Sequence, residues 1–245
     1  MDRSDREAAT TKTMIERPSD IRACVFDAYG TLFDIRNVAG GVIERPGVDS
    51  NAFFDIWRAK QLEYSWLRAV TGHHVDFWQV TRDALDYALE SFGISDSTLG
   101  SAMMDAYLRL PIFPDVLPTL EQLRASGLRR AILSNGTAHM LSAIVAHAGV
   151  TEHFEALLSV EEVGIFKPHP RVYALAPERL SLPAEQICFV SSNGWDAWSA
   201  RAFGFRVVWC NRRARPRERL PSAPDGEVAD LRDLSALINT FKKID

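Results

Sequence analysis

Buried strands alternate with amphipathic helices along the second half of this 245-residue chain, and this alternation constrains the fold more than any other feature. Short apolar runs typical of strands occupy residues 21–26, 130–133, 156–159, 187–190 and 206–209. Helical patterns lie between the last four of these runs, or just before them, at residues 116–126, 137–148, 170–180 and 197–203. Such alternation indicates a parallel sheet with right-handed crossovers. We therefore predict an α/β fold with a Rossmann-like parallel sheet.

Three further helical patterns separate the first strand from the rest of the predicted sheet. They occupy residues 51–70, 76–92 and 95–110. Three consecutive helices do not fit a simple strand–helix–strand unit. We predict that residues 36–110 form an inserted helical cap and that residues 21–35 and 111–245 form the core. Residues 1–20 are polar, without the apolar centre of a secretory signal, and we expect a disordered extension.

Composition is that of an ordinary soluble enzyme, with 47% apolar and 24% charged residues. The net charge of −4 argues against general nucleic-acid binding. No apolar stretch reaches the 18 or so residues of a membrane span. Cys24, Cys188 and Cys210 lie singly in apolar runs, which predicts buried thiols rather than disulfide partners or metal ligands. We expect a cytoplasmic protein.

Polar residues follow four of the predicted strands. They are Asp27, the segment Ser134-Asn135-Gly136, Lys167, and the segment 191–196 with Ser191, Asn193, Trp195 and Asp196. In a parallel sheet these positions face one crevice. Any one of them could instead be a helix cap, a turn residue or a loop charge, since Ser, Asn and Asp are favoured in caps and turns. The four together, with a strand-end aspartate that can act as a nucleophile, favour a catalytic site.

These segments resemble the haloacid dehalogenase superfamily. The superfamily features are Asp27-x-Tyr29-Gly30-Thr31-Leu32, Ser134-Asn135-Gly136, Lys167-Pro168 and Asp196. Within the superfamily, segments 26–34, 57–64, 105–110 and 191–196 resemble the L-2-haloacid dehalogenases. The resemblance covers residues 21–212 and includes both the predicted cap and the predicted core.

The resemblance implies a two-step reaction without a cofactor. Asp27 would attack C2 of a short L-2-haloalkanoic acid and displace halide, and water would hydrolyse the resulting ester to a D-2-hydroxy acid. Lys167 would keep Asp27 ionised, Thr31 and Ser191 would orient it, and Arg58 from the cap would accept the halide. The remaining implied roles are carboxylate binding by Ser134 and the backbone near Asn135, water activation by Asn193 and Asp196, contact near Lys167 by Tyr173, and an alkyl pocket of Tyr29, Leu62, Phe77 and Trp195.

Tyr29 separates this reading from the main alternative, a phosphatase with a degenerate metal site. Phosphatases of the superfamily have an acidic residue at that position, which protonates the leaving group, whereas a halide leaves without a proton. The segment Ser191-Ser192-Asn193 also lacks the carboxylate that would help to hold Mg²⁺, so we predict no metal. A third possibility is a non-enzymatic binding protein that keeps the fold.

Several other features have plain explanations that stay open. Arg58, Leu62 and Phe77 could be ordinary helix residues, on a solvated face or in the core. The pair His73-His74 lacks further ligands at diagnostic spacing. The arginines between residues 212 and 219 form a solvated loop or help to steer anionic substrates. Ala59 stands where some relatives carry a longer polar residue. The family implies a homodimer, and apolar cap residues such as Tyr64, Trp66 and Leu67 are compatible with one.

Overall fold

A computed structural model describes residues 21–39 and 47–241 of the protein. The described strands form one parallel sheet of six strands, in the order β3-β2-β1-β4-β5-β6. Their bounds are β1 Ala23–Phe26, β2 Arg129–Ser134, β3 Ala156–Ser159, β4 Ile187–Ser191, β5 Arg206–Cys210 and β6 Gly226–Val228. The predicted Rossmann-like sheet is confirmed.

Four of the described α-helices lie between β1 and β2 in the chain, and the first three are the helices predicted for the cap. These cap helices are α1 Ser50–Thr71, α2 Phe77–Ser91 and α3 Ser97–Tyr107. The other helices are α4 Val116–Ala125, α5 Ala138–His147, α6 Pro170–Leu180, α7 Gly194–Phe203 and α8 Leu234–Asn239. The inserted helical cap is confirmed, whereas its limits at residues 36 and 110 stay a prediction. The expected N-terminal extension, residues 1–20, lies outside the described residues.

Strand β1 occupies the centre of the sheet and explains where the site forms. It pairs with β2 on one side and with β4 on the other, and all four of its residues are fully buried. Helices on both faces of a parallel sheet require such a continuous apolar strand. The strand order reverses at β1, so a crevice opens at its carboxyl end. Asp27 is the first residue beyond that end.

Helix α1 carries the cap side of the site. The Asp49 side chain caps its first turn, and Gly72 ends the helix in a left-handed conformation with φ of 72°. Its buried stripe includes Trp57 and Gln61, spaced one turn apart, and the helix packs on α2. The Trp57 indole donates a hydrogen bond to the carbonyl of Thr81, 3.0 Å away. This anchor fixes the rotation of α1 about its axis.

Two elements at the end of the chain were absent from the sequence prediction. Strand β6 has three residues and α8 has six, too few for a hydrophobic period to be recognised. A Cβ on Gly226 would come within 2.7 Å of Leu237, so glycine lets α8 pack closely on β6. The other elements agree with the prediction to within a few residues. The three cysteines are buried free thiols, as predicted, and none of the described helices is long and apolar enough to cross a membrane.

Candidate active site

Asp27 presents a nearly buried carboxylate that accepts three side-chain hydrogen bonds. Lys167 Nζ lies 3.1 Å from Oδ1, while Thr31 Oγ1 and Asn193 Nδ2 lie 3.1 Å and 2.9 Å from Oδ2. The Asp27 backbone N–H donates to the carbonyl of Val190 on β4, which continues the sheet pairing by one residue. The donors stabilise the charged carboxylate in a site where only 6% of the residue is exposed.

The two oxygens of Asp27 differ in how many donors they have. Among the described residues, Oδ2 accepts from Thr31 and Asn193, whereas Oδ1 accepts only from Lys167. A carboxylate oxygen offers about two lone-pair sites. Oδ1 therefore keeps a lone pair for a nucleophilic attack, and Oδ2 is held by two hydrogen-bond donors.

Lys167 is buried between two carboxylates. Its Nζ donates to Asp27 and also to Asp196 Oδ2, 2.9 Å away, while the Tyr173 hydroxyl donates to Asp196 Oδ1 at 2.7 Å. Burial by itself lowers the pKa of Lys167, but attraction to Asp196 and Asp27 outweighs it, and the net shift is upward. Burial also raises the pKa of Asp196, against the opposing attraction of Lys167. Removal of the ammonium would leave two carboxylates facing each other without a cation.

Asn193 shows that the polar segment after β4, residues 191–196, does more than cap a helix. It occupies the N-cap position of α7 but makes no capping hydrogen bond with its side chain. The amide instead donates to Asp27 and to the carbonyl of Tyr29, 3.3 Å away. Ser191 Oγ accepts from the Asn193 backbone N–H at 3.2 Å. Among the contacts of the described residues, Ser191 meets Asn193, which in turn donates to Asp27, so Ser191 orients Asp27 through Asn193.

The loop after β2 closes the other side of the crevice. Ser134 Oγ accepts from the Gly136 N–H at 3.1 Å, and Asn135 Oδ1 accepts from the Lys167 N–H at 2.9 Å. A Cβ on Gly136 would meet the Tyr29 ring at 2.9 Å, so only glycine permits this approach. The loop backbone is thus packed against the residue that distinguishes the site from a phosphatase.

Tyr29 contributes an aromatic wall with an unpaired hydroxyl. Its ring centroid lies 5.0 Å from that of Tyr107 and 6.2 Å from that of Phe77. The hydroxyl is buried without a hydrogen-bond partner among the described residues. Burial raises the pKa of Tyr29 well above its usual value, so the phenol stays neutral. The side chain offers apolar surface and a free donor to a bound molecule.

A cavity of about 300 Å³ opens beside the carboxylate cluster, between cap and core. Arg58 and Leu62 from α1 line it, together with Asn193 and Trp195 from the core. Tyr29 and Phe77, both expected in the alkyl pocket, lie together in the aromatic cluster and are not among the lining residues of this cavity. Arg212 also lines the cavity. The remaining lining residues are Gly30, Asp34, Ile35, Arg36, Phe54, Phe113, Ser192, Gly194, Trp209, Asn211, Arg213, Arg215 and Glu218.

The arginines between residues 212 and 219 were predicted to form a solvated loop, and for Arg212 this prediction is wrong. Its guanidinium pairs with the Asp115 carboxylate at 2.9 Å, donates to the carbonyl of Thr31, and leaves 11% of the side chain exposed. It thereby fixes the turn that carries Thr31. Two other residues that sequence reasoning missed are Gln61 and Tyr107, which form a buried hydrogen-bond network with Arg58. Gln61 lies four residues after Trp57, on the buried stripe, and this spacing was the available signal.

The donor set does not suit a divalent cation. Within residues 21–39 and 47–241, no group of three His, Cys, Asp or Glu side chains is arranged to hold a metal ion. The ammonium of Lys167 already bridges Asp27 and Asp196. His74 of the histidine pair packs its ring on Phe166, 4.8 Å away.

Known proteins resemble this chain over nearly its whole described length. The family model for haloacid dehalogenase-like hydrolases matches residues 21–204. The chain belongs to the haloacid dehalogenase-like hydrolases. (S)-2-haloacid dehalogenase 1 of Pseudomonas sp. strain CBS-3 is 43% identical over 219 residues, which cover 89% of this chain and 96% of the relative. These similarities place the chain among the L-2-haloacid dehalogenases, as hydrolases that act on carbon–halide bonds.

Solved structures agree with this assignment. The L-2-haloacid dehalogenase from Xanthobacter autotrophicus is 41% identical, with a TM-score of 0.84 and coverage of 90% of this chain and 99% of that one. The same enzyme with chloropropionic acid covalently bound gives a TM-score of 0.82, with the same identity and coverage.

Proposed function

We propose that this dehalogenase converts short L-2-haloalkanoic acids to D-2-hydroxy acids through an ester on Asp27. The observation that carries the proposal is the unequal use of the two Asp27 oxygens, with one donor on Oδ1 and two on Oδ2. Oδ1 attacks C2 from the side opposite the halogen, the carbon–halogen bond breaks, and halide leaves with the bonding electrons. Configuration at C2 is thereby inverted. The relatives named (S)-2-haloacid dehalogenase support the choice of enantiomer.

Hydrolysis of the ester uses the second oxygen. With Oδ1 bonded to substrate, Oδ2 is the ester carbonyl oxygen, and Thr31 and Asn193 already donate to it. Water attacks the ester carbon, negative charge builds on Oδ2, and these two donors stabilise it. Collapse breaks the bond between Oδ1 and the ester carbon. The departing alkoxide takes the water proton that Asp196 holds and leaves as the hydroxy acid, and the new carboxyl group of Asp27 loses its proton to solvent.

Asp196 takes the proton of the attacking water in this proposal. Each of its oxygens uses one lone pair for Lys167 or Tyr173, which leaves lone pairs that can accept a proton. Burial, and to a lesser extent repulsion from Asp27, raises the pKa of Asp196, and esterification removes that repulsion while Lys167 stays in place. Asp196 is therefore better able to remain ionised when the water must be activated.

Substrate groups other than C2 have partners around the crevice. Ser134 and the backbone near Asn135 and Gly136 bind the substrate carboxylate. Arg58 of the cap accepts the departing halide, and Leu62 and Trp195 contact the alkyl group in the cavity. The Tyr29 hydroxyl, which has no hydrogen-bond partner among the described residues, donates to the substrate.

The phosphatase alternative is disfavoured by the same residues. Tyr29 is too weak an acid to protonate a leaving group at neutral pH, because burial raises its pKa well above the usual value. The carboxylates that would bind Mg²⁺ are instead paired with Lys167. Release of phosphate that depends on Mg²⁺ would support this alternative.

Halide release from L- and D-2-chloropropionate, each with and without EDTA, tests the proposed function. We expect release from the L isomer alone, at the same rate in EDTA. Activity on the D isomer alone, or loss of activity in EDTA, would overturn the proposal. No halide from any short haloacid with folded protein would favour the binding-protein alternative.

We also infer a homodimer. Leu67, Val70 and Tyr87 of the cap are exposed, which leaves apolar surface on α1 and α2. Trp66, expected on that surface, packs instead on Trp195 with ring centroids 5.4 Å apart. Sedimentation equilibrium at micromolar concentration would give a mass near that of one 27.4 kDa chain if the inference is wrong. The cytoplasmic location stays a prediction.

A further inference from the structure

Gln61 is a buried amide one turn beyond Arg58 on α1. Only 1% of the residue is exposed, and its side chain forms hydrogen bonds with Arg58, Thr81 and Tyr107. Oε1 accepts from Arg58 Nη1, while Nε2 donates to Thr81 Oγ1 at 2.7 Å and to the Tyr107 hydroxyl at 3.1 Å. The guanidinium that lines the cavity is therefore tethered to the interior of the cap.

The donors and acceptors around Gln61 determine the orientation of its amide group. A guanidinium has donors only, so the oxygen of Gln61 must face Arg58. The Thr81 hydroxyl donates its own proton to the carbonyl of Phe77 at 2.6 Å and is therefore an acceptor for Gln61 Nε2. This orientation of the amide satisfies Arg58 and Thr81 together, and the Gln61 oxygen holds the Arg58 guanidinium.

Three other arginines near the site pair with carboxylates, whereas Arg58 is held by a neutral amide. Arg36 pairs with Asp55, Arg68 with Asp83, and Arg212 with Asp115, at 2.8–3.1 Å. No carboxylate forms a salt bridge with Arg58 among the described residues. A carboxylate would hold Arg58 as well as an amide does, but it would compensate the positive charge.

We propose that Gln61 is a positioning residue that holds the Arg58 guanidinium toward the cavity while leaving its full charge for the departing halide. The inference rests on the proposed function, in which Arg58 accepts that halide. Negative charge grows on the halogen as its bond to C2 breaks, and an uncompensated guanidinium in a desolvated site stabilises it strongly. An ionised partner would compete with the halide for the same N–H donors.

Tyr107 supports Gln61 from the other side. Its hydroxyl receives the second Nε2 hydrogen, and its ring packs on Tyr29 and Trp57 with centroids 5.0 Å and 5.8 Å away. The substitution Tyr107→Phe would keep this packing and remove one partner of the amide. We expect it to lower kcat less than any change at Gln61.

Two variants of Gln61 distinguish its effect on the position of Arg58 from its effect on the charge of Arg58. Gln61→Glu keeps the shape and the acceptor but brings a negative charge to Arg58, whereas Gln61→Met keeps the charge of Arg58 uncompensated and removes the acceptor. The control is Gln122→Glu, the same chemical change at an exposed position of α4 outside the cavity lining. Circular dichroism and thermal melting show which variants are folded.

Leaving-group dependence and halide binding are the readouts. We expect Gln61→Glu to lower kcat for L-2-chloropropionate by about tenfold or more, and for the bromo analogue by less, because bromide needs less stabilisation as it leaves. Chloride binding, followed by chlorine-35 NMR line broadening without substrate, should weaken in Gln61→Glu by about tenfold. Gln61→Met should lower kcat for both substrates while it retains most of the chloride binding. Neither quantity should change in Gln122→Glu.

Two results overturn the inference: wild-type protein that binds no chloride, or folded Gln61→Glu whose chloride affinity and bromo-to-chloro rate ratio stay within about twofold of wild type. Wild-type protein that binds chloride but releases no halide overturns the proposed function instead. In that case the chloride affinities of the two Gln61 variants still decide the role of this residue.

Discussion

The core and cap sides of the active site treat charge in opposite ways. On the core side, Lys167 is paired with two carboxylates, and all three groups are buried. On the cap side, Arg58 is held by the neutral amide of Gln61. In the proposed mechanism, this difference means that the core holds the nucleophile beside its counter-charge before substrate binds, while the cap leaves the charge of Arg58 available to the leaving group.

Removal of the core cation should have the largest effect. Lys167→Met leaves Asp27 and Asp196 buried without their shared ammonium, which costs about 3–5 kcal/mol of unfolding free energy and removes halide release. Urea denaturation and a halide assay measure the two effects. Arg58→Met, the matching change on the cap side, should cost less stability, since no buried carboxylate loses a partner. Equal losses of stability in Lys167→Met and Arg58→Met would contradict the claim that only the core side holds a cation between buried carboxylates.

Asp196→Asn should separate the two chemical steps. Asp27 keeps Lys167, Thr31 and Asn193 in this variant, so the attack on C2 proceeds, while the base for water is absent. We expect one equivalent of halide per enzyme and an ester that accumulates on residue 27, detectable by peptide mass spectrometry. Steady turnover near the wild-type rate would show that another group activates the water.

Alkaline pH should weaken the core side. The pKa values of Lys167, Tyr29 and Tyr173 are all raised in the folded protein, by charge for Lys167 and chiefly by burial for the tyrosines. Their stabilising effect is complete below the unfolded pKa values near 10 and is lost as pH rises toward the folded values. Unfolding free energy measured from pH 8 to 11 should therefore fall above about pH 10. Tyr173→Phe should make this fall less steep. An unchanged slope would show that the raised pKa of Tyr173 does not contribute to the loss of stability.

Removal of a cavity-lining arginine that steers the anionic substrate should have the smallest effect on activity. Arg213 lines the cavity, and burial together with repulsion from Arg36 and Arg215 lowers its pKa. We expect Arg213→Gln to lower kcat/KM by about twofold at low ionic strength and less in salt, because the effect is long-range steering. Arg219→Gln, which changes an arginine outside the cavity lining, is the control. An equal effect in both variants would mean that only net charge matters.

The sequence predicted the core side well because each element there has a local signal. A buried strand that ends in Asp27, and polar segments after β2 and β4, place their residues at one crevice by sheet geometry alone. The cap network had no such signal. Gln61 belongs to an apolar stripe, and its partners Thr81 and Tyr107 come from two other helices. The hydrophobic period of each helix predicts which face is buried, but it does not predict which residues of the three helices meet. Arg212 was misassigned because its partner, Asp115, is 97 residues away.

The fate of Asp27 in a single turnover tests the central claim most directly. Enzyme in excess over L-2-chloropropionate is allowed one turnover in oxygen-18 water, and the lactate is analysed by mass spectrometry. If Asp27 Oδ1 attacks C2, the new hydroxyl oxygen comes from the protein, the lactate is unlabelled, and the label enters the carboxylate of Asp27. Labelled lactate with unlabelled Asp27 would show that water attacks C2 directly and would contradict the account.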